Sequence, residues 1–343
     1  MKVLYVDHPE ADFLAAQIYM GLCRVLGAEN VIDYPYKATY HGDVHRYASP
    51  YTTDPGTTPW SRWEQGGDGL TTPFDWMEPQ PGRRVTRDEV LGMIGLGEIA
   101  IVIVASPRAY NVPAAEDLIR ASGKLMPPVV LIDGEDYTTI RYDIAERLGV
   151  RTYFKRELVA ESEQVEVYHA EKARIGALLR VEPLPLAPVR VMEWTHTTVD
   201  VVLLGGGNCP GGKEPYEAVV RAVTDSYILG HVPFDRFLSA VSSARIAVAL
   251  RGHSQDSLRS WEMLACEGPL VAVHRHTLIR PHPFLDGVHV ADFGSPSELE
   301  AVLRKYLADE PRRASIAHRG HVNLLEHHTA EARARYLLEK AIR

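Results

Sequence analysis

The run Ser257-Leu258-Arg259-Ser260-Trp261-Glu262-Met263-Leu264-Ala265-Cys266-Glu267-Gly268 puts a guanidinium and a carboxylate near the start of one predicted helix. Residues 246–250 read as a buried strand, 251–256 as a polar loop, 257–267 as the helix and 268–273 as the next strand. Such a βαβ unit turns its loop and helix N-terminus toward the carboxyl edge of a parallel sheet, where backbone N–H groups and the helix dipole favour anions such as phosphates. Glu262, about one and a half turns in, is within reach of the hydroxyls of such a ligand. A carboxylate can accept two hydrogen bonds from a diol such as ribose. The alternative is a solvated helix acid. Arg251 and Arg259 flank the helix start, where guanidinium groups could neutralise a diphosphate, or could serve as surface ion-pair partners.

Further groups cluster at predicted strand ends. Gly205-Gly206-Gly207-Asn208 and Gly211-Gly212-Lys213 surround a turn leading into a helix, so bare backbone could approach phosphate while Lys213 supplies charge. The spacing is not that of a P-loop, and a plain connecting loop is the competing reading. His231 and Val232 follow a short strand; His231 could equally cap or pack. Asp7 and His8 lie just past the first strand, and Asp133, Glu135 and Asp136 just past another, so either cluster could supply a base, with capping and turn formation as the alternative. His41, His45, Trp60, Trp63 and Trp76 could stack on a ligand or form a local mini-core. His274-Arg275-His276 and His327-His328 lack accompanying carboxylates at metal-binding spacing, so no metal is expected.

The elements that must position these groups alternate. Strands are expected at 2–6, 31–34, 99–104, 128–132 and 152–154, with helices near 10–26, 87–96, 113–123 and 138–148, a pattern that builds a parallel sheet covered on both faces. Residues 35–82 interrupt it with Tyr, Trp, Pro, Gly and His and little periodicity. After the proline-rich 182–188, which suits a stiff extended connection, a second series runs. It has strands at 199–204, 226–229, 246–250, 268–273 and 288–290, and helices at 215–224, 234–243, 257–267, 296–307, 311–326 and 329–342. The fold expected is therefore α/β, two Rossmann-like doubly wound domains with a cleft between them. Their limits are 1–180, carrying the insertion 35–82, and 181–327, with a final helix in 328–343 packing back on the first domain.

The chain has 343 residues, 45% of them hydrophobic and 24% charged, ample for two such cores. Its formal net charge of −8 argues against an extended nucleic-acid-binding face. Three scattered cysteines fit neither a disulfide framework nor a four-ligand zinc site. With no signal peptide and no apolar run approaching the roughly 20 residues that span a bilayer, a cytoplasmic protein is expected. Oligomeric state is not legible.

Four segments, in order, carry a resemblance. They are Pro183-Leu184-Pro185-Leu186 followed by residues 199–206, then Gly230-His231-Val232-Pro233-Phe234-Asp235-Arg236-Phe237 with residues 242–248, the helix 258–268, and Ile316-Ala317-His318-Arg319-Gly320 with residues 328–338. Together they resemble the donor domain of GT-B glycosyltransferases, and within these the spore-maturation-protein-like (CgeB-type) family. The resemblance covers 183–338; residues 153–157 add a string seen in related proteins. It implies a metal-independent glycosyltransferase that takes its sugar from a nucleoside diphosphate sugar, a co-substrate and not a cofactor, and passes it to a hydroxyl or amine acceptor. The donor-binding set it implies is Gly206, Gly207, Lys213, His231, Val232, Arg251, Ser257, Arg259 and Glu262, with Glu262 on the ribose and backbone near His231 and Val232 meeting the nucleobase. Asp7, His8, Asp133 and Asp136 are the candidate catalytic bases. Retaining GT-B enzymes often have a second glutamate eight residues before the ribose glutamate; here that residue is Ser254, which leaves the stereochemistry open. A nucleotide-sugar epimerase and a non-catalytic nucleotide-sugar or glycan-binding protein are the competing readings.

Overall fold

The computed structural model describes residues 1–7, 12–41, 78–109, 111–159, 179–193, 196–205, 209, 211–232, 234–252 and 254–342. The chain divides into two compact units. Unit 1 runs to Pro185 and resumes at Ala330, and unit 2 spans Leu186–Thr329. His8, Gly206, Gly207, His45, Trp60, Trp63 and Trp76 lie outside the described residues.

In unit 1 the strands are β1 (Lys2–Val6), β2 (Val31–Tyr34), β3 (Ile99–Val104), β4 (Val129–Asp133), β5 (Thr152–Lys155) and β6 (Arg180–Pro183). They form one parallel sheet in the order β2-β1-β3-β4-β5-β6. The helices are α1 (Phe13–Leu26), α2 (Arg87–Gly95), α3 (Asn111–Ser122), α4 (Tyr142–Arg147) and the last helix of the chain, α10 (Ala330–Ile342). Strand interiors such as Val102, Val104 and Leu131 are buried almost completely, as a sheet covered on both faces requires. Local signals fix the helix ends. Asp12 accepts the Ala15 N–H at the start of α1, and Thr86 and Glu89 form a reciprocal capping box on α2.

β6 was not expected. Its proline is tolerated because Pro183 ends a strand at the sheet edge, in register with Lys155, where a missing N–H breaks no central ladder. The stiff connection therefore begins later than the proline count implied.

Unit 2 holds β7 (Val199–Leu204), β8 (Tyr227–Gly230), β9 (Ala244–Ala249), β10 (Leu270–His274) and β11 (Ala291–Phe293), all parallel in the order β11-β10-β9-β7-β8. Its helices are α5 (Glu214–Val223), α6 (Phe234–Ser242), α7 (Leu258–Leu264), α8 (Pro296–Ala308) and α9 (Glu310–His327). Two expectations are corrected. The strand read at 288–290 lies instead at β11, because Gly287 (φ +68°) turns the chain and its N–H bonds the Val290 carbonyl at 2.8 Å. Helix α7 stops at Leu264, short of Glu267, because Cys266 pairs with Met192 in a parallel bridge.

Each sheet reverses its strand order once, between β1 and β3 and between β7 and β9. At such a switch point adjacent loops leave in opposite directions and open a crevice at the carboxyl edge, where ligands bind in this class of fold. No helix among the described residues is long and apolar enough to cross a membrane.

Helix α10 packs tightly on α1. A Cβ added at Gly21 would lie 2.1 Å from the Ala330 carbonyl oxygen and 2.6 Å from its carbon, and backbone cannot step aside as a side chain can. We predict that Gly21→Ala destabilises unit 1 by about 1–3 kcal/mol. Gly92→Ala on α2, where nothing lies within 4 Å, should be neutral or stabilising. Thermal denaturation of the two variants side by side checks the contrast, and equal melting temperatures would refute the close α1–α10 contact.

Candidate functional site

Unit 2 holds the described residues of the implied donor set, and Arg259 packs at its switch point against Gly205. Gly205 ends β7 with φ +74°, and its N–H donates to the Gly230 carbonyl at 2.7 Å. The Arg259 guanidinium lies flat against it. A Cβ at Gly205 would sit 2.5 Å from Arg259 Cζ and 2.6 Å from Nε, so a side chain there would displace the guanidinium, and φ +74° itself favours glycine. Arg251 follows β9 on the other side of the same crevice, and its Nε is buried without a hydrogen-bond partner. Among the described residues neither arginine has an acid within ion-pairing distance. Burial lowers the Arg259 pKa from its ordinary value, the expected response of a cation held out of water without a counter-ion. Two such guanidinium groups form a site that gains from an anionic guest.

The other members of the set are placed differently. Lys213 caps α5 and pairs with Glu217 at 3.1 Å, one turn along the same helix, so much of its charge is already answered. His231 is exposed and Val232 half-buried, both directly after β8. Ser257 occupies the N-cap of α7 without a side-chain capping bond, leaving its hydroxyl uncommitted to the helix.

Glu262 is not a solvated helix acid. It is 1% exposed, its Oε1 accepts the Val189 N–H at 2.8 Å, and its Oε2 is buried with no hydrogen-bond partner among the described residues. Loss of solvation pushes its pKa up from 4.5 to about 8, with the Val189 N–H pulling weakly the other way. The residues around it were not legible in the local sequence. Asp256, 1% exposed, accepts the Leu186 N–H at 2.7 Å, the Trp261 indole N–H at 3.0 Å and an Arg280 N–H at 2.6 Å. Arg280 also lies over the Trp261 ring, 4.8 Å from its centroid. Asp256 sits within the run read as a polar loop, and no local periodicity marks it as buried.

In unit 1 the candidate bases are held by their neighbours. Asp7, 3% exposed, accepts from Lys37 Nζ at 2.8 Å, from Asn111 Nδ2 at 3.3 Å and from the Tyr40 hydroxyl. Asp133, 1% exposed, pairs with Lys155 at 2.9 Å and accepts from the Tyr153 hydroxyl and the Glu135 N–H. Asp136 is exposed and paired with Arg156. His41 is bonded to Asp33 at 3.1 Å and stacked on Tyr36 at 4.5 Å, a packed arrangement. No group of three or more His, Cys, Asp or Glu among the described residues is arranged to hold a metal ion.

The raised pKa of Glu262 has a definite sign in stability. Below pH 4.5 the carboxyl is protonated in both folded and unfolded chains. Between there and about pH 8 only the unfolded chain ionises, so this group makes the fold less stable as pH rises. We predict that Glu262→Gln removes this dependence. The melting temperature of the variant minus that of the wild type should be more positive at pH 8 than at pH 5, and differential scanning fluorimetry that finds equal differences would show that Glu262 ionises normally.

Residues 190–339 match the family described as glycosyl transferase-like. No curated protein matches the chain. Its structure is similar to that of HepE from Anabaena, solved with UDP-glucose, at 10% identity and a TM-score of 0.51, covering 99% of both chains. It is also similar to a glycosyltransferase from Rickettsia africae, at 9% identity and a TM-score of 0.54, covering 99% of this chain and 97% of that one. A third likeness is to sucrose-phosphate synthase from Thermosynechococcus elongatus, at 11% identity and a TM-score of 0.50, covering 99% and 98%. The family match supports the reading as a glycosyltransferase enzyme, and the architecture of the chain is the GT-B fold.

Proposed function

We propose that this protein transfers a sugar from a UDP-sugar to a hydroxyl or amine acceptor, with the donor bound on unit 2. The observation that carries the proposal is Arg259 packed against Gly205 at the switch point, with Arg251 following the neighbouring strand β9, neither with an acid in ion-pairing distance among the described residues. A diphosphate supplies the missing charge. As the sugar leaves, negative charge grows on the departing phosphate, and fixed guanidinium groups stabilise it more than they stabilise the bound donor. Glu262 answers a second requirement, since its partnerless Oε2 can accept a ribose hydroxyl. Because Glu262 is 1% exposed, donor binding to it requires a local opening around α7. The UDP-glucose complex of the structurally similar HepE supports uridine as the base to test first.

On the acceptor side we favour Asp136 as the base. Asp7 and Asp133 are buried in ion pairs with lysine, whereas Asp136, although paired with Arg156, is exposed to an incoming hydroxyl. The arginines take the place that a divalent cation has in other sugar transferases, so the reaction is proposed to proceed without metal.

Calorimetric titration with UDP, UDP-glucose, GDP and ADP tests the donor reading directly. Binding of the uridine compounds is expected to weaken about tenfold or more in Arg259→Ala and in Glu262→Ala, the scale of a lost charge-assisted hydrogen bond. Failure of every nucleotide to bind would remove the proposal. With an acceptor identified, Asp136→Asn should lower kcat by about 10²–10⁴-fold with little change in melting temperature. Chelation by EDTA should leave the rate unchanged, and a rate abolished by EDTA and restored by a divalent ion would overturn the metal-free reading.

A further inference from the structure

Residues 186–192 run along helix α7 and are held at every third residue. The Leu186 N–H meets Asp256 at 2.7 Å, the Val189 N–H meets Glu262 at 2.8 Å, and the Met192 N–H meets the Ala265 carbonyl at 3.0 Å. Met192 returns a bond from its own carbonyl to the Glu267 N–H at 2.9 Å. A period of three is that of polyproline II, which the flanking Pro185 and Pro188 favour. Such a helix has no internal hydrogen bonds and points every third N–H the same way. This segment is therefore an extended strap held at three of its N–H groups by Asp256 before α7, Glu262 within it and Ala265 just past its end.

One of the three attachments differs from the others. Asp256 is saturated by Trp261 and Arg280 as well as by the strap, and the Ala265 carbonyl is backbone. Glu262 is attached through Oε1 alone, while Oε2 is buried and without a partner among the described residues. The strap thus fixes which carboxylate oxygen is spoken for and which is left to a ligand. Resting on the donor reading above, we infer that the Leu186–Met192 strap positions Glu262 for the donor, and that a ligand hydroxyl at Oε2 tightens the strap through Val189. The physical link is the charge on the carboxylate. A hydroxyl donated to Oε2 favours the ionised form, and an ionised acceptor makes a shorter and stronger bond to the Val189 N–H than a neutral one does. Coupling of this kind is reciprocal, so whatever orders the strap also favours the donor.

Arg190 is exposed and lies inside the strap, which gives a direct readout. Trypsin cleavage between Arg190 and Val191, followed by mass spectrometry on the intact protein, tracks how often the strap opens. In the free protein Glu262→Ala should speed this cleavage about tenfold, whereas Glu262→Gln, which keeps an oxygen for Val189, should leave it near the wild-type rate. Saturating UDP-glucose should slow wild-type cleavage about fivefold or more, but should not slow it in Glu262→Gln, whose side chain cannot ionise. A merely structural strap would show the first effect without the second.

The melting temperature, measured alongside, separates the two ideas. If UDP-glucose raises it while cleavage after Arg190 stays constant, the coupling is overturned and the donor reading stands. If neither UDP-glucose nor UDP raises it, the donor reading fails and the coupling fails with it. Unchanged cleavage of free Glu262→Ala would show that Glu262 does not hold the strap at all.

Discussion

The buried carboxylate of Asp256 is the contact on which the organisation of unit 2 rests. It gathers a backbone N–H from Leu186, the indole of Trp261 and the guanidinium of Arg280 around one negative charge at the mouth of α7. Removing one partner of a buried ion pair leaves the other charge uncompensated in a medium that cannot solvate it, a loss of about 3–5 kcal/mol. The consequences spread through Trp261. Its ring lies against His328 and Phe284, and His328 is itself bonded to the His282 carbonyl at 2.9 Å. The first and the last segments of unit 2 are in this way tied to the same aromatic side chain, directly beside the glutamate and arginine proposed to hold the donor.

The two sheets use their polar rims in opposite ways. At the carboxyl edge of the first, Asp7 and Asp133 meet Lys37 and Lys155 and are further bonded by tyrosine hydroxyls. In the second unit, among the described residues, Arg251 and Arg259 have no acid in ion-pairing distance and Glu262 keeps one oxygen without a partner. Satisfied buried charge stabilises an arrangement, and unsatisfied buried charge costs stability unless a guest completes it. That contrast is the physical ground on which the donor is proposed to sit on the second unit.

Much of the plan was legible in the residues. Strands β3 and β7 were read to the residue, because runs such as Ile99-Ala100-Ile101-Val102-Ile103-Val104 are apolar, β-branched and bounded by polar turns. Helix α8 was read at 296–307, within one residue of its observed end, and the Ser295 hydroxyl accepting the Glu298 N–H at its start is a local cap that needs no tertiary contact. What escaped depends on contacts between distant residues. The sixth strand was hidden by the proline that only an edge position excuses, α7 was cut short by pairing with Met192, and Asp256 reads as an ordinary loop acid until Arg280, 24 residues later, is folded against it. Glu262 was singled out by type and position, but its burial and its bond to Val189 were not legible, since the partner lies 73 residues away in sequence.

The placement of α10 has a consequence for how the molecule is made. Unit 1 lacks the helix that packs against α1 until residues 330–342 have been made, after residues 186–329 of unit 2. The second unit is thus synthesised in full before the first can complete its packing on α1. An apolar surface left open during that interval is a natural place for a chaperone to hold the nascent protein.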